Sequence, residues 1–255
     1  MADLVSIVIP VYNGENSLVE LYQSVKKVAA ANNFEFELIM VDDNSSDQSY
    51  QKIVKLSQQD KRVKGIQLKE NFGQQNAIFC GFNFAAGDYI VTMDDDLQHQ
   101  PSDIALLLNK IKEGYDVVYA IPRMRAYSFY RRLGSRLTNW LFNLITPKKE
   151  GLRVSSYRII TREILTKITA TKKSFIYLSA IILKEKPEIA NIYTDQKQRK
   201  YGESNYNFLK LLKLFLKLFI YYGELPFLKY FRSEKEQYLI RESTFKEEEE
   251  SICGY

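Results

Sequence analysis

Across residues 4–120, one pattern constrains the fold more than any other: short apolar, β-branched runs alternate with stretches of helical spacing. "LVSIVI" (4–9) reads as a buried strand stopped by Pro10, and residues 15–31 carry apolar positions at helical intervals. "FELIMV" (36–41), "VKGIQL" (63–68), "YIVTM" (89–93) and "DVVYA" (116–120) repeat the strand signal. Helices are predicted between them over 47–59, 74–86 and 102–113. The strand runs are continuously apolar, as strands covered on both faces must be. The expectation is an α/β fold, a mostly parallel central sheet with helices on both faces.

In such sheets ligands bind beyond the carboxyl ends of the strands. Four polar clusters fall there: "PVYNGEN", "DDNSSD", "KENFGQQN" and "DDDLQHQP". Four loops at one edge imply a single site. The last is the most demanding, because Asp94, Asp95 and Asp96 follow a buried strand directly. Like charges this close repel, and desolvating them adds to the cost. A hard divalent cation such as Mg²⁺ or Mn²⁺ removes that cost. With side chains alternating along an extended segment, Asp94, Asp96 and Gln98 share one side and Asp95 faces away. A solvated acidic turn leading into a helix at Pro101 and Ser102 is the competing explanation.

Composition narrows the setting. The 255 residues are 45% hydrophobic and 26% charged, enough to bury a full core, and the net charge of +5 does not call for nucleic acid. Cys80 and Cys253 stand too far apart for a metal finger and fit a reducing compartment. The N-terminal residues lack the basic region of a secretory signal, and no uncharged apolar run is long enough to span a membrane. The second half is different in character. Residues 123–136 hold five arginines and no acid. A helix is predicted over 136–145, a short strand leading into a helix over 155–165, and another helix over 174–183. The tail "KEEEESICGY" reads as frayed.

Taken in order, "VSIVIPVYNGENSL", "ELIMVDDNSSD", "NFGQQNAIFCGFNFAAGDYIVTMDDDLQHQP" and "RKYGESNY" resemble the inverting family 2 glycosyltransferases of GT-A fold. More narrowly, they resemble the branch of dolichyl-phosphate mannose synthase and the bacterial polyprenyl-phosphate glycosyltransferases. The likeness spans roughly residues 4–206. It implies a catalytic domain over 1–206, with a nucleotide-sugar half (1–121) and an acceptor half (122–206), followed by amphipathic helices (207–232) and a charged tail (233–255).

The resemblance also implies roles. Asp94, Asp96 and Gln98 match the metal and diphosphate motif. Pro10 and Tyr12 match the first nucleotide loop, Asp43 the acid facing the base, and Asn71 and Gln74 the same pocket. Asp42, the other of two adjacent acids, reads as orienting its loop or capping the helix near Ser45. For a lipid-phosphate acceptor, Arg123, Arg131 and Ser135 match the acceptor loop, Arg158 an "FRL" motif here written "YRI", and Arg199 and Ser204 an "R-x-x-G-x-S" motif. Arginine suits phosphate because its planar fork binds oxygens in pairs. The implied chemistry is in-line displacement at the anomeric carbon with inversion, and an ionised phosphate needs little general-base help. Three departures stand out. Ser156 replaces an Asp that would be a candidate base, Gly14 replaces a frequent Glu, and Asn205 replaces a Lys.

"NFLKLLKLFLKLFIYY" (207–222) sets Lys210, Lys213 and Lys217 on one helical face among Leu and Phe. It reads as an interfacial helix on an anionic leaflet, or else as a helix packed on the catalytic domain or a second copy. The expected protein is peripheral, on the cytoplasmic face of the membrane, and homo-oligomerisation is left open. Its expected partners are a nucleotide sugar and a lipid-phosphate or lipid-linked glycan acceptor. Transfer to a soluble or glycan hydroxyl, a sugar-phosphate nucleotidyltransferase and a non-catalytic membrane-surface partner are the alternatives.

Overall fold

The first half builds the sheet in the predicted order. Strands β1 (Leu4–Val11), β2 (Glu35–Asp42), β3 (Val63–Leu68), β4 (Tyr89–Thr92) and β5 (Val117–Pro122) are joined by α1 (Leu18–Asn32), α2 (Ser49–Gln59), α3 (Gln74–Asn83) and α4 (Asp103–Ile111). Then come β6 (Arg158–Thr161), α5 (Arg162–Thr169), α6 (Leu178–Lys184), β7 (Ile189–Thr194) and β8 (Ile240–Ser243). This computed structural model describes residues 3–123, 151–171, 174–195, 216–222 and 236–245. The eight strands run β7-β5-β6-β4-β1-β2-β3-β8. β6 is antiparallel to both its neighbours and β8 is antiparallel to β3, while the other pairings are parallel.

Alternating side chains divide the core in two. Val5, Ile7 and Ile9 face one side with Leu21 and Val25 of α1, Ile53 of α2 and Leu107 of α4. Val8, Ile39, Ile90 and Ile160 face the other, with Ile78 and Phe82 of α3, Ile164 of α5 and Ile181 of α6. Full burial of each such side chain contributes about 1.5–3 kcal/mol. α3 lies close on the sheet because Gly81 brings no side chain to the contact, where a Cβ would meet Val8 Cγ1 at 2.5 Å.

Three sequence expectations change. β1 is not stopped by Pro10, since Pro10 and Val11 continue the parallel pairing, opposite Val41 and Asp42. β4 pairs only with Val5–Val8. The Val8 carbonyl accepts from the Met93 N–H on the β4 side. Two residues on, the N–H that proline lacks would point to that same side, past the end of β4, so no ladder bond is lost. β7 was not anticipated, and it extends the sheet beside β5. β8 lies within the stretch expected to be a charged tail. It covers the edge of β3, flanked by Tyr238 against Phe79 and Phe245 against Phe84, with ring centroids 6.3 and 5.4 Å apart.

Of the amphipathic stretch 207–232, residues 216–222 are described, and they are helical. Leu218 is buried with Ala180 and Leu183 of α6. The Tyr222 hydroxyl accepts from the Tyr177 N–H at 3.1 Å and donates to the Phe175 carbonyl at 2.9 Å. Leu216 and Lys217 are exposed. Among the described residues, no helix is long and apolar enough to cross a membrane.

Candidate active site

The loops after β1 and β2 are tied to each other before anything binds. Asn13, in the left-handed region at φ 53°, accepts from the Ser46 N–H at 2.9 Å, and its own N–H donates to Ser45 Oγ at 2.9 Å. The Gly14 N–H donates to Ser49 Oγ and the Glu15 N–H to Asp47 Oδ2. Asp42 accepts from the Ser45 N–H and from Gln67 Nε2, so it orients its loop as expected. Between these loops Tyr12 is 55% exposed at the end of β1, while Pro10 is buried beneath it.

Asp43 reaches across to the loop after β3. Its two carboxylate oxygens accept the Phe72 and Gly73 N–H groups, each at 2.8 Å. Burial raises its pKa, the two N–H bonds offset part of that, and Asp42 adds to the rise. These bonds fix the turn that presents Asn71 and Gln74, both exposed. Gln74, the first residue of α3, donates from Nε2 to Asp94 Oδ1 at 2.6 Å. Ser156, just before β6, donates to Asp94 Oδ2 at 3.1 Å. Asp94 is thus held at both carboxylate oxygens, with its side chain still 27% exposed.

The acidic run is not extended. The chain bends at 95–97, Leu97 takes φ 60°, and the Gln98 N–H donates to Asp96 Oδ1 at 3.1 Å. Period-two alternation therefore does not carry Gln98 to the side of Asp94. Gln98 does line the same cavity as Asp94. Asp95 turns inward beneath Gly14, where a Cβ would sit well inside contact distance of Asp95 Oδ2. That oxygen is buried with no hydrogen-bond partner. Desolvation, then repulsion from Asp94 and Asp96, push the carboxyl up to about 7, and N–H bonds from Tyr12 and from Asp95 itself offset only part.

Next to Asp94 lies a cavity of about 130 Å³ between the ends of β4, β5, β6 and β7. Its lining includes Gln98, His99, Asp103, Ser155, Ser156 and Asp195. His99 Nδ1 accepts the Asp94 N–H at 3.1 Å, which leaves the imidazole proton on Nε2. The ring stacks on Tyr157 at 4.7 Å. Asp103 opens α4 and is 8% exposed; burial first, then the charge of Asp195, push it up to about 6. Sequence reasoning passed over His99, Asp103 and Asp195, and it read Ser156 only as a missing base. The position of His99 and Asp103 just past "DDDLQ" was the available signal. Asp195 had none, because the strand that delivers it was not foreseen.

Of the arginines expected at an acceptor phosphate, Arg123 is exposed at the rim, with Nη1 3.9 Å from Asp195 Oδ2. Arg158 is a correction. It is 1% exposed, lies on the core face of β6, and donates to Thr92 Oγ1 at 3.2 Å and Ser179 Oγ at 3.3 Å. A guanidinium sealed there braces β4 against α6 and meets no acceptor. Arg131, Ser135, Arg199 and Ser204 lie outside the described residues.

Solved structures share this fold. Glucosyl-3-phosphoglycerate synthase from Mycobacterium tuberculosis, in complex with Mn²⁺, UDP and phosphoglyceric acid, superposes with a TM-score of 0.62 at 18% identity, covering 88% of this chain and 80% of that one. The same enzyme with Mn²⁺ and UDP-glucose gives 0.62 at 16% identity, covering 86% and 77%. At such identity the likeness is one of fold. The family model for glycosyl transferase family 2 matches residues 6–169, a stretch that carries every strand from β1 to β6 and the whole acidic loop. By its sequence and by its sheet, the chain belongs to glycosyl transferase family 2.

Proposed function

We propose that this protein moves a sugar from a nucleotide-sugar donor, with Mg²⁺ or Mn²⁺, to a lipid-linked acceptor at a membrane surface, by in-line displacement with inversion. One observation carries the donor side: Asp94, fixed by Gln74 from α3 and by Ser156 just before β6, keeps part of its carboxylate open at the edge where four loops converge. Tyr12 offers an exposed ring to the base. Asp43, with its lone pairs only partly used, accepts from the base while holding the Asn71–Gln74 turn.

The residues fit a divalent ion of the Mg²⁺ type. Among the described residues no three His, Cys, Asp or Glu side chains form a cage. Asp94, Asp96 and the Gln98 amide are hard oxygen donors that leave the remaining positions to substrate phosphates, as is usual where a nucleotide supplies ligands. When bound, the ion supplies neutralisation of the charge that develops on the leaving diphosphate. The Mycobacterium tuberculosis synthase, crystallised with Mn²⁺ and UDP, supports this reading.

On the acceptor side, the resemblance to the polyprenyl-phosphate branch and the lysine-bearing 207–222 stretch support a lipid-linked molecule met from the cytoplasmic face. Arg123 at the rim is the described cation placed to meet it. A soluble acceptor is the second reading, favoured by the phosphoglyceric acid bound in the solved synthase.

The test is titration of UDP, GDP and dTDP with Mn²⁺, then turnover of the matching sugar nucleotides. Asp94→Ala or Asp96→Ala should lower turnover by about 10³-fold and weaken Mn²⁺-dependent nucleotide binding. Wild-type turnover in either variant overturns the metal assignment.

A further inference from the structure

The cavity beside Asp94 has a one-sided chemistry. Its described lining brings carboxylates from Asp94, Asp103 and Asp195 together with the hydroxyls of Ser155 and Ser156, and it contains no lysine or arginine. Asp103 is 8% exposed and its carboxylate has no hydrogen-bond partner among the described residues. The Asp103 oxygens keep access to the cavity, so a donor that enters it meets an open carboxylate acceptor. Phosphate cannot fill that role: it is an acceptor and carries the same charge. An ammonium would satisfy Asp103 but leave the Nε2–H of His99, on the same wall, without a partner. A sugar ring answers both, because each hydroxyl donates and accepts.

We propose that this cavity receives an uncharged sugar unit of the acceptor, with Asp103 as its hydrogen-bond acceptor and general base. Within the lipid-linked class, the acceptor is then a glycan and not a polyprenyl phosphate. The proposal rests on the sugar-transfer reading given above. In the transfer, the anomeric carbon–oxygen bond to the donor diphosphate breaks and a bond from that carbon to the glycan hydroxyl oxygen forms. The hydroxyl proton passes to Asp103. The other carboxylates are less suited. Asp94 already accepts from Gln74 and Ser156, and Asp195 is 70% exposed and faces Arg123. The groups facing Asp103 are Asp195 beyond β7, Tyr157 before β6, and His99 and Asp94 after β4.

The experiment uses the full chain with Mn²⁺ and the sugar nucleotide it turns over. Octyl glucoside, octyl galactoside and octyl N-acetylglucosaminide are compared with decaprenyl phosphate as acceptors. The expected result is transfer to a neutral glycoside in preference to the phosphate. Asp103→Asn should lower kcat/KM for that glycoside by about 100-fold or more and remove the acidic limb of its pH profile. Nucleoside diphosphate binding in the variant should stay within about twofold, which also reports an intact fold, and Asp103→Glu should recover part of the rate. Preference for decaprenyl phosphate, use of neither acceptor class by an enzyme that hydrolyses its donor, or an Asp103→Asn variant within about threefold of wild type overturns the proposal. Absence of nucleotide binding altogether overturns the sugar-transfer reading beneath it.

Discussion

Gly14 and Asp95 occupy one another's space. The carboxyl of Asp95 fills the position that a side chain on Gly14 would take. Gly14→Ala should therefore overpack the contact by roughly 1–3 kcal/mol and lower Tm by about 3–8 °C. Combining it with Asp95→Ala should recover at least half of the loss. Thermal unfolding of the two single variants and the double variant measures this, and strictly additive losses would refute the contact. The sequence showed that Asp95 differs from its neighbours, through alternation along an extended run. The bend at 95–97 gives a different physical cause, burial under a side chain-free residue 81 positions earlier in the chain. Arg158 was misplaced for a related reason. Its hydroxyl partners, Thr92 and Ser179, come from β4 and α6, and nothing in "SSYRI" reveals them.

At the scale of elements, the strands that were legible are those whose own composition demands burial. β1 to β5 are apolar on both faces and announce themselves. β7 ("IANIYT") is only partly buried at the sheet edge, and β8 ("IRES") is mostly polar. Such strands are set by the neighbour they pair with, not by local pattern. β8 protects the edge of β3 and positions Thr244, whose Oγ1 accepts the Gly65 N–H at 2.9 Å. Removing residues 236–255 should expose that edge, cost about 2–4 kcal/mol, and promote self-association. Urea unfolding and light scattering measure both effects. A truncated chain that is as stable and as monodisperse as the full one would show β8 to be dispensable.

Across the whole molecule, two strongly raised carboxyls among the described residues give stability a dependence on pH. Asp103 and Asp95, with pKa values of about 6 and about 7, hold their protons more tightly in the folded chain than at the ordinary value of 3.8. Their contribution is fully present below 3.8 and is lost as pH rises through about 6 and then about 7. Tm measured without divalent cation should fall across that window, and an Asp95→Asn/Asp103→Asn double variant should flatten the fall. An unchanged slope would refute the assignment. For membrane association, flotation with anionic vesicles should recover the protein at low salt and lose it when residues 207–232 are removed. Equal recovery from neutral vesicles would exclude the lysine face as its cause. The sheet order has a separate consequence, for exchange between relatives. β5 and β6 are consecutive strands and antiparallel neighbours, so β5 ends at Pro122 and β6 begins at Arg158 on the same edge of the sheet. The donor loops, all before residue 100, are already closed on one another before Pro122. The chain between Pro122 and Arg158 is thus an insertion with adjacent ends, and because Ser156 at its returning end also holds Asp94, an exchange between relatives leaves the donor site intact only if it stops short of Ser156.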